Sequence, residues 1–507
     1  MDNPPLPCAP LPTQRLGPRG WCLVLAAACI LYFGTAQRAA SWQDSGMFQW
    51  RVLTGDYAGQ LGLALAHPLY IAAGRLLAGL SQRHLPLLLN AFSGLGMAVA
   101  LANLAGLTAR LTGRRWVGLL TAAMLGVTHT AWWLSTIAEV YTWNVAGLTA
   151  ELWLLAALLQ RPRWQSLAGL ALVSGLDLCV HNFALLPLPV YLGAAVVLVA
   201  RGRLPARALA IAAAAYVLGA GLYLGMTVEL AVRTGDVAGA VRSALFGNYQ
   251  AQVLNVAQRS ANLKANAALS AMNFINLLLP LALVGWASLR RLGGPLAACL
   301  SLITLVEGAF FLRYPVPDQF TFILPTLVMI ALAAGLGVGR LAERGRRWRI
   351  AVASACLACI AAQPGFFAVA PALMARAGVS AQRERALPYR DEARYWLVPW
   401  KHDERSAQRF ARHALSQAAP RGVILADSTA TPPLLIVQKL DVPAPEVLVQ
   451  DPHENHPLPI RDGDAETIRR ALAGRPLFSL TALEPAGARA ELPPGGVLYE
   501  LRWAGPP

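Results

Sequence analysis

Residues 85–115 read LPLLLNAFSGLGMAVALANLAGLTARLTGRR. No side chain from Leu85 to Ala109 is charged, and Arg110, Arg114 and Arg115 then follow in close succession. A helix of about 20 apolar residues crosses a bilayer core, so this stretch predicts a membrane span closed by a basic turn. The same pattern recurs along the first three quarters of the chain. It predicts eleven spans, at 20–37, 85–108, 116–134, 138–160, 165–181, 183–200, 208–229, 274–289, 295–312, 319–338 and 350–370. Across all 507 residues 56% are hydrophobic and 14% charged, where soluble proteins carry roughly a quarter charged residues. The expected fold class is therefore an α-helical polytopic membrane protein with a small C-terminal α/β domain.

The arginines orient it. On an eleven-span topology, alternate breaks collect Arg15 and Arg19; Arg110, Arg114 and Arg115; Arg161 and Arg163; Arg201, Arg203 and Arg207; Arg290 and Arg291; and Arg340, Arg344, Arg346, Arg347 and Arg349. Basic residues favour the cytoplasmic side. This predicts a cytoplasmic leader (1–19), a membrane domain (20–375) with outer loops 38–84 and 230–273, and an extracytoplasmic domain (376–507). Residues 47–65 and 68–80 are expected to lie along the interface. In the tail, helices are expected at 404–417 and 465–472 and strands at 422–426 and 446–449. Before residue 376 there are 26 Lys+Arg against 11 Asp+Glu, and from there on 17 against 16. The excess positive charge thus lies in the membrane part, which argues against a nucleic-acid partner. Only Lys264, Lys401 and Lys439 are lysines, a usage that suggests a GC-rich bacterial genome and so the bacterial inner membrane. The tail has no cysteine and needs no disulfide. Cys356-x-x-Cys359 falls inside a span and reads as packing.

Acidic and imidazole groups are costly in hydrocarbon and mark functional regions. Most gather at the predicted outer face: Asp44, Asp56, His67, His129, Glu139, Asp177, His181 and Asp318, with Glu151 and Glu307 deeper. Their local sequences are Ser41-Trp42-Gln43-Asp44-Ser45-Gly46-Met47, Ala66-His67-Pro68-Leu69-Tyr70, Ala138-Glu139-Val140-Tyr141, Val180-His181-Asn182 and Pro315-Val316-Pro317-Asp318-Gln319. Taken in this order they resemble the protein O-mannosyltransferase-like family, within the GT-C superfamily of lipid-sugar-dependent glycosyltransferases. That resemblance implies a GT-C-like fold, a polyprenyl-phosphate-linked sugar as donor, and Asp44 as the catalytic carboxylate. Two departures stand out. Met47 replaces the acid that usually follows Asp-Ser-Gly, and the usual longer turn is shortened to His67-Pro68-Leu69-Tyr70.

An outward-facing transferase needs a donor already carried across the bilayer, and a lipid phosphate sugar is one. Inverting transfer needs one carboxylate to take the acceptor's hydroxyl proton, for which Asp44 is the candidate. His67, Glu139, Tyr141, His181 and Asp318 are candidate substrate-binding residues. Arg51, Arg75, Arg242, Arg259, Lys264 and Arg313 are candidates for the leaving phosphate. No metal-ligand set is assigned, and the need for a cofactor stays open, a divalent metal included. The acceptor is a protein, a lipid or a glycan. Two other readings stand beside this one: a transporter or flippase of lipid-linked saccharides, and a family member that binds the sugar lipid without transferring it.

Overall fold

The computed structural model describes residues 16–255, 257–259, 262–378, 386–442, 444, 446–450, 472, 474–482 and 488–503. The first part is helical: α1 (Gly17–Thr35), α2 (Gln43–Thr54), α3 (Pro68–Leu80), α4 (Leu85–Thr112), α5 (Arg115–Gly126), α6 (His129–Leu134), α7 (Tyr141–Gln160), α8 (Trp164–Leu178) and α9 (Leu188–Ala200). There follow α10 (Arg207–Gly219), α11 (Gly221–Thr234), α12 (Val237–Phe246), α13 (Gln250–Val253), α14 (Leu263–Ala271), α15 (Leu278–Ser288), α16 (Gly294–Arg313), α17 (Leu324–Ala342) and α18 (Arg346–Arg376). Among the described residues seven helices are long and apolar enough to cross a membrane, and two bent pairs raise this to nine. The chain is a multi-pass membrane protein.

The bends have local causes. The pair α10–α11 turns by 72° at Gly219-Ala220-Gly221. Leu263–Phe274 and Leu278–Leu292 meet at 73°, where Asn276 caps the second helix by accepting from the Leu278 N–H at 2.8 Å. The predicted span 116–134 is α5 and α6, parted at Val127 and Thr128, and the Gly126 carbonyl that this break frees accepts from the Tyr32 hydroxyl at 2.9 Å. The predicted span 165–181 is the 15-residue α8. The helix α7 begins at Tyr141, three residues later than expected, which leaves Glu139 in the turn before the span.

At the centre stands α17, buried along its whole apolar window, as befits a helix hydrophobic on every face. Small residues bring its neighbours into backbone contact, the usual means of close helix packing in membranes. A Cβ at Gly285 would lie 1.8 Å from the Ala333 carbonyl oxygen, and one at Gly337 would lie 2.0 Å from that of Leu281. At one end of the bundle Arg110 meets Gln160, and Arg291 and Arg340 pair with Glu343. The other end carries α2, α3, the turn before α7 and the C-terminal unit.

That unit holds α19 (Glu392–Leu397), α20 (Ser406–Ala418) and α21 (Thr431–Leu440) with a five-stranded sheet: β1 (Val423–Leu425), β2 (Leu448–Gln450), β3 (Leu477–Ser479), β4 (Ala488–Glu491) and β5 (Tyr499–Trp503). The order is β2-β1-β3-β5-β4, parallel across the first three strands and antiparallel thereafter. The expected helix 404–417 corresponds to α20, and the expected strands 422–426 and 446–449 to β1 and β2. The expected helix 465–472 lies outside the described residues apart from Leu472.

The glycine contacts make a stability prediction. Gly337→Leu drives a side chain into the Leu281 backbone and should cost about 1–3 kcal/mol or more, read as a lowered thermal midpoint in detergent. Gly193→Ala, on α9 with no neighbour within 4 Å, should leave that midpoint unchanged or raise it.

Candidate active site

The segment joining α1 to α2 runs inward over the bundle end, so its polar groups need partners within the protein. They find them in one closed network. The Gln37 N–H donates to the Thr136 carbonyl (2.9 Å), and the Asn90 amide donates to the Gln37 carbonyl (2.7 Å). The Gln49 amide donates to Ser41 Oγ and Asn90 Oδ1, while its own Oε1 accepts from the Ser41 N–H. Ser41 Oγ in turn donates to Gln37 Oε1. Gln37, Ser41, Gln49 and Asn90 are all buried. This network sets the approach to α2, whose first turn carries Asp44; a carboxylate there is favoured by the helix dipole.

The remaining motifs interlock with that turn. The Tyr70 hydroxyl bonds Ser93 Oγ (3.0 Å). Ser93 Oγ holds the Glu139 backbone twice, accepting its N–H at 2.8 Å and donating to its carbonyl at 2.9 Å. Glu139 Oε1 accepts from Ser45 Oγ at 3.0 Å. Hence Tyr70, Glu139 and the residue beside Asp44 belong to one chain of contacts from three separate stretches of sequence.

His67 and His181 are stacked, with ring centroids 5.1 Å apart and planes 18° from parallel. Their tautomers follow from the backbone. His67 Nδ1 lies 2.7 Å from the Val180 carbonyl, which can only accept, so that nitrogen carries the proton. His181 Nδ1 accepts from the Phe183 N–H at 3.0 Å, so its proton is on Nε2. One ring thus offers a free acceptor and the other a free donor. Burial, reinforced by Arg51 and opposed by the Val180 hydrogen bond, lowers the His67 pKa to about 3 and keeps that ring neutral.

These groups meet at one cavity of about 300 Å³, in the range of small-ligand sites. Asp44, His67, Glu139, Tyr141 and His181 line it together with Met47, Arg51, Tyr249, Tyr314 and an apolar wall that includes Phe183, Phe310 and Phe322. Asp318 stands beside the cavity, close enough that its charge acts on Asp44. Water reaches Asp44 through the opening, but protein packs around it. That enclosure, followed by the charge of Asp318, raises its carboxyl pKa to about 7. Glu139 is raised well above its ordinary range, first by burial and then by Asp44.

The candidate phosphate cations separate clearly. Arg51 lines the cavity, but its guanidinium donates to the carbonyls of Asp56, Tyr57, Leu65 and Ala66. Four of its five N–H groups therefore hold the loop that closes the wall. Arg75 donates to the Val52 and Leu53 carbonyls and Arg313 to that of Asn255, while Arg242, Arg259 and Lys264 are exposed and do not line the cavity. Deeper in the bundle, Asp177 accepts from Asn144 (3.0 Å) and Glu151 from Tyr191 (2.9 Å). Neither these two nor Glu307 line the cavity. His129 bonds the Trp396 carbonyl at 2.8 Å and serves the junction with the C-terminal unit. Among the described residues no group of three or more His, Cys, Asp or Glu is arranged to hold a metal ion.

The fold is GT-C-like. In particular it resembles the crystal structure of ArnT from Cupriavidus metallidurans bound to undecaprenyl phosphate, with a TM-score of 0.57 and 13% identity over 97% of this chain and 100% of that one. The crystal structure of the same ArnT in the apo state matches with a TM-score of 0.51 and 16% identity, over 91% and 92% of the two chains. At such identities the likeness is one of fold. No family model matches the sequence, and no curated protein does.

The Arg51 geometry predicts that Arg51→Leu frees the loop it gathers. Each buried hydrogen bond is worth about 1 kcal/mol, so the amides of residues 55–66 should exchange with deuterium at least about tenfold faster. Unchanged exchange there would show that the guanidinium does not hold the loop.

Proposed function

We propose that this protein is a membrane glycosyltransferase that moves a sugar from a polyprenyl-phosphate donor to an acceptor hydroxyl, with Asp44 as general base. The observation that carries this reading is the convergence of Asp44, His67, Glu139, Tyr141 and His181 on one cavity. Three further facts support it: the motif order of the protein O-mannosyltransferase-like family, the GT-C fold, and the undecaprenyl phosphate bound to the similar ArnT structure. The arginine asymmetry supports a reading in which the Asp44 end and residues 376–507 lie outside the cytoplasm, and the scarcity of lysine supports a bacterial inner membrane.

The acceptor oxygen attacks the anomeric carbon as its proton passes to Asp44. The bond from that carbon to the phosphate oxygen breaks, and polyprenyl phosphate leaves with the electron pair. Two carboxyls whose environments differ divide the labour. Asp44, reached by water and titrating near neutrality, serves as base. Glu139, more deeply buried and shifted toward its protonated form, donates a hydrogen bond. The leaving phosphate is met by the remaining Arg51 N–H, by His181 Nε2–H and by the Tyr249 and Tyr314 hydroxyls; such donors act strongly where water is excluded. The bare His67 Nε2 accepts from a sugar hydroxyl.

Release of undecaprenyl phosphate, from host lipid extract supplied to membranes containing the protein, measures the reaction without knowledge of the sugar. Asp44→Asn should slow it by about 10²–10⁴-fold while leaving insertion and lipid binding intact; wild-type release by this variant would remove Asp44 from the mechanism. The base must be ionised, so the rate should fall as pH drops below about 7, about tenfold per unit once well below it. Asp318→Asn removes a negative neighbour and should move that limb to lower pH; a limb that stays in place would show that Asp318 does not act on the base.

A further inference from the structure

We propose that the C-terminal unit positions the catalytic carboxylate, so that part of the active-site scaffold is built from residues 406–432; this rests on Asp44 being the base. The residues on both sides of Asp44 are held by that unit. Trp42, two positions before it, is almost completely buried. Its indole N–H donates to Ser406 Oγ at 2.8 Å, and its ring meets Phe410 of α20 at 5.2 Å. The Arg390 guanidinium lies 5.8 Å from the same ring. Gln43, immediately before Asp44, has a positive φ of 54°, a conformation that a residue with a side chain rarely adopts. Its N–H donates to the Thr429 carbonyl at 3.1 Å. Gly46, two positions after, has no room for a side chain: a Cβ would lie 2.3 Å from the Ser41 carbonyl oxygen and 3.0 Å from Pro432 Cβ of α21. The glycine of the Asp-Ser-Gly motif is therefore required by the local turn, and the C-terminal unit packs tightly against the same position.

The clamp is itself rigid. Asp427 accepts from the Thr429 and Ala430 N–H groups, which fixes the Thr429 carbonyl just beyond β1. Residues 395–401 are hydrogen-bonded to the bundle: the Lys401 N–H to the Thr35 carbonyl (2.8 Å), Trp133 Nε1 to the Tyr395 carbonyl (3.2 Å), and Thr136 Oγ1 to the Pro399 carbonyl (2.8 Å). The Asp44 turn is thus gripped between the buried Gln37–Asn90 network and a unit fastened to the same bundle end. A strained turn persists only where its surroundings over-determine it, and here they do so from two sides. A carboxylate displaced by an ångström loses much of its rate even when substrate still binds.

The test uses the full chain in membranes and the undecaprenyl phosphate release assay with host lipid extract. Ser406→Ala and Trp42→Phe remove the same hydrogen bond. Each should lower the maximal rate by about 5–20-fold with the half-saturating lipid concentration unchanged. The double variant should be no slower than either single one, because both act through one contact. Ser406→Thr, which keeps the hydroxyl, should recover most of the rate. Gln43→Gly, which takes up the positive φ freely, should remain far more active than Gln43→Val. Trypsin resistance of the C-terminal unit separates positioning from unfolding. Maximal rates at the wild-type level for Ser406→Ala and Trp42→Phe, or a loss appearing only in half-saturation, would overturn the proposal. If Asp44→Asn is inactive while both of those variants are unimpaired, only the positioning role falls. If Asp44→Asn is itself fully active, the assignment of the base falls, and the positioning role with it.

Discussion

A backbone segment that turns inward over a membrane bundle loses its water and has to satisfy every N–H and carbonyl within the protein. Residues 36–49 meet this constraint with side-chain amides. Gln37, Gln49 and Asn90 each act as donor and acceptor, and the Asp44 turn inherits its place from them. Partly satisfied, such a network would be worse than an apolar one. Closed, it makes the position of one carboxylate a property of α1, α2, α4 and the Thr136 turn together.

The electrostatics follow from the same enclosure. A carboxylate on an open surface titrates near 4 and is a feeble base at neutral pH. Asp44 sits where protein limits its hydration and Asp318 opposes its charge, and these raise it to the range in which a base is both ionised and proton-hungry. The two stacked imidazoles work the other way. Each has one nitrogen committed to backbone, so they enter the cavity as neutral hydrogen-bonding groups of opposite polarity and add no positive charge that would stabilise the Asp44 anion.

Much of this was legible in the sequence because it is written locally. Apolar runs and arginine breaks carry the bundle, and the order of the Asp44, His67, Glu139 and His181 motifs carries the membership of the cavity. What could not be read is long-range. Gln37, Gln49, Asn90 and Ser93 are single polar residues within or beside apolar stretches, and nothing nearby announces their partners. Ser406 and Thr429 lie hundreds of residues from Trp42 and Gln43. Arg51 reads as a phosphate cation and is mostly taken up by four carbonyls, because a loop of irregular backbone needs donors and a guanidinium is a compact source of them. The bends were half legible: Gly219-Ala220-Gly221 is a visible weak point, whereas the hydroxyl that meets the carbonyl freed after Gly126 comes from the distant Tyr32.

The shape of the cavity bears on transfer against transport. Its inner wall is aromatic: Tyr141, Phe183, Phe310, Tyr314 and Phe322 contact one another ring to ring at 4.8–6.1 Å. Glu151 lies further along α7, Asp177 lies one turn before His181 at the end of α8, and Glu307 lies one turn before Phe310 on α16. Asp177 accepts from Asn144 and Glu151 from Tyr191, and Asp177 lies so close to the bare Gly147 backbone that a Cβ there would be 2.4 Å from its carboxyl carbon. A solute moving across the membrane would have to part both the aromatic layer and this tightly packed polar contact. A sugar presented from the lipid needs neither to move, only a pocket that closes behind it and a carboxylate at its mouth. The arrangement at Asp44 gathers its titratable groups around one cavity at one end of the bundle, which accords with the chemistry proposed there.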